Sequence, residues 1–280
     1  MPMMTYNQVS VPSFMYGTAW KKDATAKLVE EAVDAGFRSI DTANQLIHYY
    51  EEGVGHALQA LGKKGVTRDQ LFLQTKFTST NGQDHRTPYD ASADLTTQVK
   101  QSFESSLKHL HTDHLDSYVL HGPYSRSGLG REDWEVWKAM EAHFAEGKTR
   151  MIGISNVNAH QLSELSAKAT TKPMMVQNRC YACAGWDMEV RQICLDNDII
   201  YQGFSLLTAN PQVLADSAVK ALAKKYTTGP AQIVFRFSMQ VGMLPLTGTT
   251  NSKHMKEDLT ADSFTLDPSE VRQIELIASR

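Results

Sequence analysis

Three short apolar runs of this chain each end in a polar side chain: RSID stops at Asp41, LFLQTK at Lys76 and LDSYVLH at His121. Tyr49 and Tyr50 follow Asp41 at the entrance to a helical segment. A tyrosine hydroxyl ordinarily titrates near ~10, too high for easy proton transfer at neutral pH. A neighbouring ammonium stabilises the phenolate and lowers that value, while a carboxylate such as Asp41 holds the lysine charged and oriented. Neutral His121 can donate a hydrogen bond to a carbonyl oxygen and so position it. Singly, each residue has a plainer role: Asp41 caps a loop, Lys76 is a solvated strand end, His121 is a satisfied buried histidine. At equivalent positions of successive units they read as one proton-donor site.

Positioning them takes a repeated unit, in which an apolar run ending in a polar residue is followed by a segment of helical periodicity and then Gly or Asn. Leu28, Ala32 and Ala35 share a helix face, Gly36 suits the position just past the helix, and RSID follows as strand. A helix from about Tyr50 to Leu61 leads to LFLQT, and a stripe of Leu95, Val99, Phe103, Leu107 and Leu110 leads to LDSYVL. The alternation continues through MIGIS, MMVQ, IIYQGF and MLPL, with helices over EDWEVWKAMEAHFAEG, AHQLSELSAKA, MEVRQICLDN, Val213 to Lys225 and Ala231 to Gln240. With a first strand near Phe14 to Gly17, eight strands result. The expected fold class is α/β, a (β/α)8 TIM barrel forming a single domain over residues 1–280, with its chemistry at the strand C-terminal ends. The early G-x-G-x-x-G of an open dinucleotide-binding sheet is missing.

A net charge of −3 gives no basic excess for nucleic acid. The apolar runs are strand-sized, and MPMMTYNQVS has no basic stretch followed by a long apolar one, so neither a membrane span nor a signal peptide is expected. Cys180, Cys183 and Cys194 are an odd set that argues against a disulfide framework, and a cytoplasmic location is the expectation. The C-x-x-C spacing of Cys180 and Cys183 has no second pair or His cluster to complete a metal site, and no metal is expected.

Over essentially its full length the chain resembles the aldo-keto reductase family. The resemblance rests on GTAW (17–20), SIDTANQ (39–45), HYYEEGVGHAL (48–58), LQTKF around Lys76, DSYVLHGP around His121, EGKTRMIGISN (146–156), MVQNRCY (175–181) and LPLTGTT (244–250). It implies reduction of aldehydes or small ketones, with hydride from a nicotinamide cofactor and a proton from a tyrosine. Asp41, Lys76 and His121 carry over directly as catalytic residues. The tyrosine falls in a short insertion, and the H-Y-x-E arrangement points to Tyr49, with Tyr50 the alternative.

The resemblance further implies that Ser155, Asn156 and Gln177 hydrogen-bond the nicotinamide carboxamide, that Phe204 stacks on the ring, and that Ser205, Leu206 and Thr208 run along the pyrophosphate. Gly17, Thr18 and Asp41 lie near the cofactor from the other side. Pro245, Thr247, Thr249, Lys253, Glu257 and Asp258 border its adenosine end. Many NADPH-specific members have a lysine and an arginine where this chain has Leu246 and His254, so Asn251, Lys253 and Lys256 are left to supply donors and charge. NADPH is the expected cofactor, with NADH possible. Tyr16, Trp20 and Tyr124 are expected to line an apolar substrate pocket with His121, and Gly122 to open one wall. The chain stops soon after SEVRQIELIAS and the loop GPYSRSGLGRED is short, which suggests an open, permissive site; the resemblance implies a monomer. Two other readings are a nicotinamide-binding sensor with little turnover and a metal-dependent hydrolase; Lys76 between Asp41 and His121 would repel a metal.

Overall fold

The computed structural model of the chain describes residues 2–277. The chain enters through an antiparallel pair, β1 (Met3–Met4) and β2 (Ser10–Val11), that periodicity did not announce. Eight parallel strands follow: β3 (Met15–Gly17), β4 (Ser39–Asp41), β5 (Phe72–Phe77), β6 (Ser117–Leu120), β7 (Ile152–Ser155), β8 (Met175–Arg179), β9 (Ile200–Phe204) and β10 (Met243–Thr247). They pair in chain order, and β10 closes on β3 to complete a barrel. The expected (β/α)8 architecture is the one found.

Alternation along each strand sorts the side chains into an inner and an outer set. In β5, Leu73 and Phe77 join the outer core against the helices, whereas Phe72, Gln74 and Lys76 face inward. The barrel interior is therefore layered. Met15, Phe72, Met175, Ile200 and Leu244 form an apolar bottom layer near the strand starts. Val9 and Val11 of the entry hairpin pack into that same cluster, which closes the barrel below and leaves the opposite end for ligands.

The helices lie outside. The first three are α1 (Thr25–Ala35), α2 (Glu51–Lys63) and α3 (Leu95–Leu110). Gly36 ends α1 with φ of 124°, a conformation that side chains resist. Gly55 is where α2 meets α3: a Cβ there would stand 1.8 Å from the carbonyl oxygen of His109. Asp94 caps α3 by accepting from the Thr97 N–H at 2.8 Å. The buried face of α3 is more polar than its leucine stripe suggests, since Gln98, Ser102 and Ser106 are buried and Leu95 and Leu107 only partly so. Asn44, in the loop after β4, donates to Ser102 O and Ser106 Oγ at 3.2 Å and ties that loop to the helix.

The ring continues with α4 (Arg131–Ala145), α5 (Ala159–Lys168), α6 (Met188–Asp196), α7 (Pro211–Ala215), α8 (Ser217–Lys225) and α9 (Pro230–Gln240). The single helix read over Val213 to Lys225 is two, because Asp216 turns extended and caps α8 by accepting from Ala218 N–H. Helices α10 (Ser252–Leu259) and α11 (Pro268–Glu275) complete the ring. The last two residues of the segment read as SEVRQIELIAS, Ala278 and Ser279, lie outside the described residues. Among the described residues no helix is long and apolar enough to cross a membrane.

Candidate active site

A cleft of about 1190 Å³ opens at the C-terminal ends of the barrel strands. Beneath it Lys76 is wholly enclosed, at 0% exposure. Its Nζ donates to Asp41 Oδ1 at 2.6 Å and to the Thr42 carbonyl oxygen at 2.7 Å. Asp41 Oδ1 also accepts from Gln74 Nε2 at 2.8 Å and Gln177 Nε2 at 3.0 Å. Those two amides donate again to Gln202 Oε1, at 2.8 and 2.7 Å. Asp41, Gln74, Gln202 and Gln177 thus form a closed ring of hydrogen bonds across the barrel, which Ser117 Oγ extends by donating to Gln74 Oε1 at 2.8 Å. Buried polar groups without partners cost about 1–3 kcal/mol each, so this ring is what makes a polar layer tolerable inside the barrel.

Tyr49 and His121 stand above this floor. The Tyr49 ring centroid is 5.0 Å from Lys76 Nζ and 5.9 Å from the His121 ring. Both rings line the cleft, whereas Tyr50 turns away, with its ring against Gly53 of α2. His121 Nδ1 hydrogen-bonds Thr78 Oγ1 at 2.7 Å. Burial, reinforced by Lys76, pushes the His121 pKa down to about 3 and keeps the ring neutral.

The expected depression of the Tyr49 pKa by lysine is not found. Burial, and then the Asp41 carboxylate, raise the Tyr49 pKa instead, and burial lowers that of Lys76. The physical reason is that the ammonium is spent on Asp41 and Thr42 and forms no hydrogen bond with the phenol.

The rim brings together most of the cofactor residues expected from sequence. Gly17, Asp41, Ser155, Asn156, Gln177, Phe204, Ser205, Leu206, Thr208, Thr247, Thr249, Glu257 and Asp258 all line the cleft, as does Trp20, expected at the substrate pocket. Ser155 Oγ donates to the Gln177 carbonyl oxygen at 2.6 Å, and Asn156 Nδ2 donates to the His121 carbonyl oxygen at 2.8 Å. Trp20, Asn156 and Ser205 hold left-handed φ values of 64°, 55° and 56° just past their strands, a conformation that non-glycine residues adopt at a cost. Trp20 is 66% exposed and its ring lies 4.2 Å from that of His48 at the mouth. At the far end Asp258 is buried, accepts from Thr247 Oγ1 at 2.9 Å and Gln232 Nε2 at 3.2 Å, and has its pKa pushed up to about 6 by burial.

Five of the residues expected at the site do not line the cleft. Thr18 is buried, its hydroxyl committed to the Asp41 carbonyl oxygen at 2.9 Å, and it does not line the cleft. Pro245 lies within β10, paired in register with Gly203. Lys253 reaches outward to Glu257 on its own helix, at 3.5 Å. Tyr16 faces the outer core and donates to the Thr249 carbonyl oxygen at 2.9 Å. Tyr124 packs against the outer core near α4, its N–H donating to Asp133 Oδ1.

Sequence reading missed Lys21, Gln45, His48, Thr78 and Arg179, all of which line the cleft. Gln45 bridges two loops, its Nε2 donating to the Gly82 carbonyl oxygen at 2.6 Å and its Oε1 meeting His48 Nδ1 at 2.7 Å. Arg179 was legible in principle, because strand alternation places residue 179 on the face of residue 177. Among the described residues no group of His, Cys, Asp or Glu is arranged to hold a metal ion, and all three cysteines are free.

The model of the aldo/keto reductase family matches residues 13–279. The chain is 29% identical to a glyoxal reductase of Bacillus subtilis, covering 97% of this chain and 91% of that protein. It is also 29% identical to the NAD/NADP-dependent indole-3-acetaldehyde reductase of Schizosaccharomyces pombe, over 95% of this chain and 91% of that one. An aldo/keto reductase crystal structure from Brucella melitensis superposes with a TM-score of 0.83 at 26% identity, over 98% of each chain.

Proposed function

The chain belongs to the aldo/keto reductase family, and from that premise we propose that it reduces aldehydes or small ketones with NADPH, Tyr49 supplying the proton. One observation carries the reading: a buried Lys76–Asp41 pair lies directly under a phenol and a neutral imidazole at the floor of an open cleft.

The residues present suit a nicotinamide. Both Gln177 Nε2 hydrogens are spent on Asp41 and Gln202, which leaves the Gln177 carboxamide oxygen without a partner among the described residues at the cleft wall, ready to accept from an amide. Phe204 offers a ring face, and Ser155 and Asn156 add polar groups beside it. When bound, the reduced cofactor supplies the hydride. The protein's part is to place the carbonyl oxygen between Tyr49 and His121. A Thr78 hydroxyl that donates to Nδ1 leaves the His121 proton on Nε2, aimed at that oxygen. Because burial and Asp41 keep the phenol protonated, Tyr49 is an acid at every working pH, and the Lys76 charge beneath it becomes important only as the phenolate forms.

The NADPH preference is what the family resemblance implies, although Leu246 and His254 stand where many NADPH-specific members place a lysine and an arginine; Thr247, Thr249 and His254 line that end of the cleft. Its test is kcat/KM with each cofactor, and a clear preference for NADH would overturn it. For the proton donor, Tyr49→Phe is expected to lower kcat on the order of 100-fold or more while cofactor binding persists, and Tyr50→Phe to change it by less than about twofold. Full activity in the Tyr49 variant would reject the assignment.

A further inference from the structure

Arg179 closes β8 two residues beyond Gln177, and both side chains turn inward toward the cleft. Its register partner is Phe204, and the guanidinium lies 5.3 Å from that ring's centroid. Among the described residues no carboxylate and no carbonyl oxygen takes its side-chain donors. The other positive groups near the reacting end are already answered. Lys76 is neutralised by Asp41, and His121 is neutral. Lys21, farther out, donates to the Gly248 carbonyl oxygen. The charge of Arg179 is also near enough to Tyr49 to ease ionisation of its hydroxyl. An unspent, planar five-donor fork facing a cleft is suited to a carboxylate, which it grips through two parallel charge-assisted hydrogen bonds.

We propose that Arg179 is an anion subsite and that the preferred substrates are oxo acids, in which a carboxylate meets the guanidinium while the aldehyde or ketone oxygen meets Tyr49 and His121. The inference rests on the reductase reading above. The carboxylate is a handle, unchanged by the reaction; the carbonyl alone is reduced. A phosphate of the cofactor presents the same anionic chemistry, so the experiment must separate the two sources.

The test compares 4-formylbenzoate with 4-methylbenzaldehyde, two aldehydes of similar size that differ in charge, in the wild type, Arg179→Gln and Arg179→Lys. The wild type should favour the acid in kcat/KM on the order of tenfold, mainly through KM. Arg179→Gln should bring that ratio close to one, and Arg179→Lys should restore part of it. If Arg179→Gln leaves the ratio intact and raises the KM for NADPH, the arginine serves a cofactor phosphate and the proposal is overturned. An unchanged ratio with unchanged cofactor KM overturns it equally. If the wild type turns over neither aldehyde, the reductase reading has failed on its own. Binding of 4-formylbenzoate, followed by tryptophan fluorescence, then decides the subsite: equal affinity in wild type and Arg179→Gln rejects it.

Discussion

At the floor of the cleft one carboxylate oxygen, Asp41 Oδ1, accepts from Lys76, Gln74 and Gln177, and each of those donors is fixed by a further partner. At the α10 end of the cleft, some of the same types of side chain are held far more loosely. Lys253 meets Glu257 across an exposed helix turn, and His254 is exposed; only Asp258 is buried among donors. In the proposed reaction the floor must present a proton within a fraction of an ångström of a reacting atom, and its over-determined geometry suits that. In the proposed reading the far end has only to hold the cofactor's tail, which a loose arrangement around Leu246 and His254 can do.

The largest effect that would break this contrast is at the ion pair. Asp41→Asn leaves the Lys76 ammonium buried without its counter-charge, and breaking one side of a buried pair typically costs about 3–5 kcal/mol. Lys76 is then expected to lose its proton, and kcat to fall on the order of 100-fold, with a marked drop in melting temperature. Lys253→Ala at the loose end should leave the melting temperature within error, since exposed pairs contribute about 0–1 kcal/mol. Comparable losses of stability in both variants would contradict the contrast.

Next in size is Gln202→Met. It removes the oxygen on which Gln74 and Gln177 both end, without touching Asp41 or Lys76 directly. A purely structural role would lower stability alone. If Gln202 positions the pair, kcat should fall about tenfold and the alkaline limb of the pH–rate profile should move, with KM for the aldehyde little changed. A normal profile in a destabilised variant would reduce the ring to packing.

These glutamines also show where sequence reading stops. Asp41, Lys76 and His121 were legible because each ends an apolar run, and the barrel because helix and strand periods alternate. Gln74 and Gln202 sit inside such runs, where a strand buried on both faces carries no alternating signal to separate inward from outward residues. Thr18 and Tyr124 fall outside the cleft lining for the complementary reason: nearness in sequence to Gly17 and His121 says nothing about which side of the strand end a side chain takes. The hairpin over Met3–Met4 and Ser10–Val11 is two residues per strand, too short for periodicity to register. The choice of Tyr49 over Tyr50 needed the start of α2, since adjacent residues there point to different sides and an insertion blurs the count.

The smallest expected effect sits on Asp258, where the loose end contains its one tightly buried acid. Its folded pKa of about 6 exceeds the ordinary carboxylate value of 3.8, so the folded state binds the proton more tightly than the unfolded chain does. Stability attributable to this group is therefore present below pH 3.8 and declines as pH rises through about 6, the opposite of a salt-bridged aspartate. Asp258→Asn removes the ionisation and should stabilise the protein by about 1 kcal/mol at pH 8, with no gain at pH 4, because the amide must still accept from Thr247 and Gln232 and forfeits part of the benefit. Melting curves at the two pH values decide it: an equal shift at both would mean that packing, not charge, governs the site. A gain confined to pH 8 would mean that the protein gives up stability to keep a carboxylate at this end of the cleft.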